Sequence, residues 1–289
     1  MKLKHLIILA ALMSQSFSAF AQVEKTKMVD NGGAGLFQAV AVKETGLSDF
    51  VIYHPKDMAQ AIACQGKLPL LIWGNGGCMD SSAPYEHMLT EIASHGYVVV
   101  AVGEMEDHPN SRKQNSTEAS ELRRGLEWML EQNSTKGSDY YHKIDTRHIA
   151  AAGHSCGGAQ VFFNATDRRL TTCIIMNAGM GDMNMAGAGP ESVQKTHTPI
   201  LYVTGGPTDV AYENAKKDYS RIAHVPVVWA DHAASGHGGT YHMPYGGDYG
   251  RVVVDWLNWH LKNRTANADI FLGSDLKGYT GWTVQSKNW

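Results

Sequence analysis

The chain has 289 residues, 43% of them hydrophobic and 18% charged, and a formal net charge of −3. That length allows one large domain with a substantial core, or at most two small ones. The mild acidity argues against a nucleic-acid partner, which a basic stripe would accompany.

The first stretch is Met1-Lys2-Leu3-Lys4, followed by an apolar run over 6–13 and by Ala19-Phe20-Ala21 ahead of Gln22. A basic start, a short apolar core and a small-residue cleavage site predict a Sec signal peptide over 1–21. The apolar run is too short for a membrane anchor. Cleavage removes Lys2 and Lys4 and no acid, taking the net charge from −3 to −5. No later stretch approaches spanning length, so residues 22–289 are expected to form one exported domain without stable membrane insertion. Export makes Cys64, Cys78, Cys156 and Cys173 disulfide candidates. Their spacings match no zinc pattern, and sequence alone does not choose among the possible pairings.

Along the chain, weak alternation from Leu36-Phe37 to Val42 predicts an early edge strand, and 49–54 a second, closed by Pro55. Residues 68–73 are apolar without alternation, as expected of a strand buried on both faces. They open into Gly74-Asn75-Gly76-Gly77-Cys78. Helical spacing over 84–95 stops at Gly96, and 97–102 is the next buried strand. A helix is predicted from Asn115 to about Glu131, with Leu122, Leu126, Met129 and Leu130 on its apolar line. Further strands are predicted at 149–153, 170–176, 199–204 and 225–230, the last of the series. A final helix over 249–262 would bury Val252, Val253, Trp256, Leu257 and His260 or Leu261. The aromatic tail, 264–289, is expected to pack back on the body. Strands alternating with helices predict a mostly parallel sheet covered on both faces.

The central motif is Gly153-His154-Ser155-Cys156-Gly157, placed between an apolar strand and a helix beginning near Gly158. In G-x-S-x-G the serine sits on a strained turn, and glycines keep the flanking strand and helix from colliding with it. The amide of Cys156 then lies at a helix start, facing the position an oxyanion would take. A nucleophilic serine needs a base, and the base an orienting carboxylate, in the order Ser, Asp or Glu, His. Asp209 is the only acid at the C-terminal edge of the strand 199–204. His237 follows the strand 225–230 between glycines. His232 lies too close to its strand end to swing over the serine, and His242 runs into Met243-Pro244, a separate surface loop. A zinc site from His232, His237 and His242 lacks a carboxylate or thiolate partner at a known spacing. The loop after 68–73 is the source of a second oxyanion donor, Asn75 or Gly76, which sequence does not separate. Met180, Met183 and Met185 either line an adaptable acyl or alcohol pocket or belong to a Gly-rich connection.

Gly-His-Ser-Cys-Gly-Gly, Trp-Gly-Asn-Gly-Gly-Cys, the stretch 91–99 and Ser235-Gly236-His237-Gly238 together resemble an α/β-hydrolase over roughly residues 36–263. The nearer relatives are the lidless secreted esterases, the dienelactone-hydrolase-like, chlorophyllase-like and cutinase or polyester-hydrolase-like group. The resemblance implies a Ser155–His237–Asp209 triad and no cofactor. It also implies that Cys78 and Cys156 lie near the site, where a disulfide would tie the oxyanion loop to the nucleophile turn; Cys64 and Cys173 would be left over. Cys156 stands where the polyester hydrolases carry Met, and Asn177-Ala178-Gly179 where they place an aromatic residue. The expected activity is hydrolysis of a small-molecule or polymeric carboxylic ester through an acyl-enzyme. The alternatives are an acyltransferase or peptidase with the same triad, or a non-catalytic binding protein on this fold. Neither the ester nor the oligomeric state is legible.

Overall fold

The computed structural model describes residues 22–106 and 115–289; the signal peptide expected over 1–21 lies outside the described residues. Among the described residues ten strands make one sheet: β1 (Val23–Lys27), β2 (Ala39–Glu44), β3 (Leu47–Pro55), β4 (Leu68–Gly74), β5 (Val98–Val102), β6 (Ile144–His154), β7 (Leu170–Met176), β8 (Ile200–Thr204), β9 (Val227–His232) and β10 (Trp282–Lys287). Their spatial order is β1-β2-β3-β5-β4-β6-β7-β8-β9-β10. The six from β5 to β9 in that order run parallel. Antiparallel pairs flank them on both sides.

The helices are α1 (Met58–Gln65), α2 (Glu86–Ser94), α3 (Glu121–Ser134), α4 (Cys156–Asn164), α5 (Pro190–Gln194), α6 (Tyr212–Arg221), α7 (Gly247–Lys262) and α8 (Ala268–Phe271). Period-2 alternation divides the sheet's side chains between two cores. Leu70 and Ile72 of β4 join Phe50, Val98 and Val100 under Leu122, Leu126 and Met129 of α3 and Phe162 of α4. Leu71 and Trp73 join Val99 and Ala101 under Leu89 and Ile92 of α2 and Val252, Val253 and Trp256 of α7. A strand with both faces covered has no polar face, which is why β4 is buried at every residue. The arrangement is the α/β fold that the sequence predicts. It brings the ends of β4, β6, β7, β8 and β9 to one edge, where open parallel sheets bind ligands.

Three local expectations are corrected. The sheet edge is β1, not the strand near Leu36; its sequence Val-Glu-Lys-Thr-Lys is polar and mostly exposed and carries no apolar signal. Helix α3 begins at Glu121 rather than Asn115. Asn115 instead bonds Asp80, and Thr117 donates its backbone N–H to the Cys78 carbonyl at 2.7 Å. These contacts to the loop after β4 draw the segment out of helical geometry. Nor is the strand after β8 the last: the tail adds β10 to β9, with Trp282 opposite His232. Trp282 is buried there against His232 and Tyr249.

Candidate active site

The turn between β6 and α4 places Ser155 at φ 52° and ψ −118°, a conformation L-residues rarely adopt. Sterics around it account for the glycines. A Cβ at Gly153 would stand 2.3 Å from the Gly157 carbonyl oxygen, and one at Gly157 would stand 2.1 Å from that of Gly74. Any side chain there would drive α4 away from β4 and β6. Ser155 N–H donates to Met176 O at 2.9 Å and Gly158 N–H to Ser155 O at 2.9 Å, so the strained residue is tied at both backbone groups. Cys156 forms a disulfide with Cys78 across Cα atoms 5.1 Å apart, fastening the loop after β4 to the first residue of α4. Cys64 and Cys173 are free thiols.

His237 comes from the loop after β9 and Asp209 from the loop after β8. His237 Nε2 lies 3.0 Å from Ser155 Oγ, and Nδ1 lies 2.7 Å from Asp209 Oδ1. With Nδ1–H donated to the carboxylate, Nε2 is the acceptor for the serine hydroxyl. Asp209 is buried, at 3% exposure. Its Oδ1 also accepts the Ala211 N–H at 3.0 Å, and its Oδ2 accepts from Asn177 Nδ2 at 2.7 Å and Gly205 N–H at 3.1 Å. Burial works to raise the carboxyl pKa, but the bond from His237 and those from Ala211, Asn177 and Gly205 outweigh it and hold it low. The group is therefore an anion facing an imidazole.

Sequence reasoning missed the side chains that support this line. Asn177, fully buried at the end of β7, also donates Nδ2–H toward Gly236 O and Tyr249 Oη and accepts the Tyr241 hydroxyl on Oδ1. Its signal was available: it is a polar residue at a C-terminal strand end on the same edge as Asp209. A second chain links three segments. Gly76 N–H donates to Tyr85 Oη at 2.9 Å, Tyr85 bonds His154 Nδ1 at 2.8 Å, and His154 Nε2 bonds the His237 carbonyl at 2.9 Å. The carbonyl requires Nε2 to carry the proton, so the tyrosine is donor to Nδ1. Burial lowers the His154 pKa to about 4 and keeps that ring neutral.

The loop after β4 does not offer its two candidate donors equally. Asn75 is buried and turned inward, accepting from Trp73 Nε1 and donating to Met79 O and Val102 O. Gly76 borders the cavity beside Ser155, yet its amide is engaged by Tyr85. His242 also borders that cavity, whereas His232 packs its ring on Trp282. Two hollows meet at Ser155 and His237. One, of about 80 Å³, is bounded by Met180, Met183, Met185 and Val210; the other, of about 510 Å³, by Tyr85, Gly238, Tyr241 and His242.

Burial of neutral histidines has a measurable consequence. His154 and His260 are both lowered to about 4 by burial, and His54 is lowered too. Below the ordinary histidine value the unfolded chain binds protons that the folded chain refuses, so stability falls as pH drops from about 6.5 toward 4. Asp218 and Glu44, raised by burial, work in the opposite sense. The histidine share is isolated by substitution. In urea unfolding, His154→Gln is expected to shrink the stability difference between pH 7 and pH 5 by about 2 kcal/mol; an unchanged difference contradicts the assignment.

The family model described as PET hydrolase-like matches residues 35–185, a little over half of the chain. The matched span includes the loop after β4, Ser155 and Asn177, whereas Asp209 and His237 lie beyond it. No curated protein matches the chain.

Proposed function

The chain belongs to the PET hydrolase-like family of α/β-hydrolases, and we propose that it is an exported serine esterase whose Ser155, His237 and Asp209 act as nucleophile, base and orienting carboxylate. The observation that carries this reading is the unbroken line Ser155 Oγ–His237–Asp209, at 3.0 and 2.7 Å, on a strained turn at a helix start. A structural serine has no use for a costly conformation that aims its oxygen at an imidazole backed by a buried carboxylate.

The chemistry follows from that line. As Ser155 Oγ bonds the ester carbonyl carbon, its proton moves to His237 Nε2. Asp209 holds the tautomer and stabilises the imidazolium. The oxyanion faces the Cys156 N–H at the start of α4; in the loop after β4, which the Cys78–Cys156 disulfide holds against that helix, the Gly76 N–H serves as a second donor once it leaves Tyr85 Oη. The carbon–oxygen bond to the alcohol then breaks, and His237 returns the proton to the leaving oxygen. Water, deprotonated by the same nitrogen, then bonds the acyl carbon; the bond from that carbon to Ser155 Oγ breaks, and His237 returns the proton to Oγ as the acid leaves. The substrate is a small-molecule or polymeric carboxylic ester. Export rests on the leader over 1–21 and accords with the disulfide.

Hydrolysis of p-nitrophenyl butanoate by residues 22–289 tests the reading. Wild type should turn over with a burst of one p-nitrophenolate per protein, and Ser155→Ala should lower kcat by about 10⁴-fold or more. A folded wild type without turnover refutes the assignment. Asn177→Ala leaves Asp209 with one donor fewer, a charge-assisted bond whose loss should lower kcat by about 10- to 100-fold with KM little changed. Full activity in that variant would reduce Asn177 to a packing residue.

A further inference from the structure

The two hollows that meet at Ser155 differ in size and chemistry, and the difference bears on the substrate. We propose that the hollow bounded by Met180, Met183, Met185 and Val210 is the acyl site, that it takes short flexible aliphatic acyl chains, and that it rejects an aromatic ring. The proposal rests on Ser155 being the nucleophile.

The assignment to the acyl side follows from proton transfer. His237 must protonate the leaving oxygen, so the alcohol departs along the histidine loop. That loop supplies His237, Gly238, Tyr241 and His242 to the larger hollow, of about 510 Å³. The smaller hollow touches the loop only at His237 and is otherwise built from Ala159 of α4 and the segments after β7 and β8. The acyl chain is what remains on that side.

Its lining selects by shape and polarity. Ala159, Ala178, Met180, Met183, Met185, Val210 and Ala211 present aliphatic or thioether groups, and among the described residues no Phe, Tyr or Trp borders the hollow. Two amides reach it: that of Asn177 is already bonded to Asp209, Gly236, Tyr241 and Tyr249, and Asn214 stands at the exposed rim with its Nδ2 3.9 Å from Met183 Sδ, so the interior is left to apolar groups. The volume of about 80 Å³ is near half that of the 150 Å³ apolar cavity known to admit benzene, and holds about three water-sized groups. An acyl tail of two to four carbons fits within it; a phenyl ring has to push aside the Met183 and Met185 side chains at the rim.

The walls are built, not a loose connection. Met180 is buried, and its N–H and that of Gly181 donate to the two oxygens of Asp218 at 2.6 and 2.9 Å. Met185 and Ala188 exchange paired backbone hydrogen bonds at 2.9 and 2.8 Å, closing a small hairpin under the rim. Met183 N–H donates to Met180 O at 2.7 Å. The Met183 and Met185 side chains are 43% and 37% exposed, so they form the adjustable outer lip while Met180 fixes the floor.

The test is kcat/KM for p-nitrophenyl acetate, butanoate, hexanoate, octanoate and benzoate, each divided by its rate of alkaline hydrolysis to remove intrinsic reactivity. Burial of each added methylene should raise the value by about fourfold up to butanoate. The value should then fall by octanoate, with benzoate at least about tenfold below butanoate. Met183→Ala and Met185→Ala, which open the lip, should move the optimum to a longer chain and raise the benzoate-to-butanoate ratio. Benzoate equal to or above butanoate, or a profile flat through octanoate, overturns the proposal while leaving the nucleophile in place. Folded protein that cleaves none of the five esters removes the nucleophile reading, and this proposal with it. The wild-type profile decides the matter even if the variants do not fold.

Discussion

Three backbones meet at the turn that carries Ser155, and their closeness governs the rest of the site. Gly74 at the end of β4, Gly153 in β6 and Gly157 in α4 approach so nearly that a Cβ on either of the latter two would fall within 2.3 Å of a carbonyl oxygen. This approach lets α4 start directly above the sheet, and it forces Ser155 to a positive φ of 52°. A non-glycine residue held there costs on the order of 1–3 kcal/mol, which surrounding bonds must offset. The bonds to Met176 and Gly158 hold the turn directly, and the Cys78–Cys156 disulfide holds the neighbouring loop. A crosslink spanning 78 positions in sequence also restricts the unfolded chain, on the order of 4 kcal/mol in loop-closure terms.

Around this turn the polar groups are arranged so that each buried donor fixes another segment. Asn177 at the end of β7 holds Asp209 after β8 and reaches the carbonyl of Gly236 beside the histidine. His154, next to the serine, joins the loop after β4 through Tyr85 and the histidine loop through the His237 carbonyl. The site is thus assembled from five strand ends by hydrogen bonds whose partners are distant in sequence. Such networks are rigid when fully satisfied and costly when broken. The tail contributes from the far edge, since Trp282 of β10 packs on His232 and on Tyr249, whose hydroxyl also meets Ser235 and Asn177.

What the sequence makes legible follows from how local each constraint is. Gly153, Gly157 and the strand before Ser155 are readable because the steric demand is met within five residues. Asp209 and His237 are readable as a lone acid and a glycine-flanked histidine just past predicted strands, and the fold brings both to Ser155. The position of Asn177, a polar residue at a strand end, is legible, but its partners are not, since they lie 32 to 72 positions away. Strand β10 depends on pairing with β9 across about fifty residues and carries no strong apolar pattern of its own. The start of α3 differs for a related reason: Asn115 and Thr117, which the sequence places in the helix, serve a distant loop. The methionines after β7 are ambiguous in sequence because the paired bonds of Met185 and Ala188, which order the segment, leave no mark in the pattern.

The central claim is that Ser155 is an activated nucleophile, and covalent labelling addresses it without assuming a substrate. Folded residues 22–289 would be incubated with a fluorophosphonate, digested, and the adduct located by mass spectrometry. The account predicts one phosphonyl group per protein, on Ser155, and loss of labelling in His237→Ala, which keeps the serine but removes its base. Folded protein that remains unlabelled, or an adduct on another residue with Ser155 untouched, would contradict it.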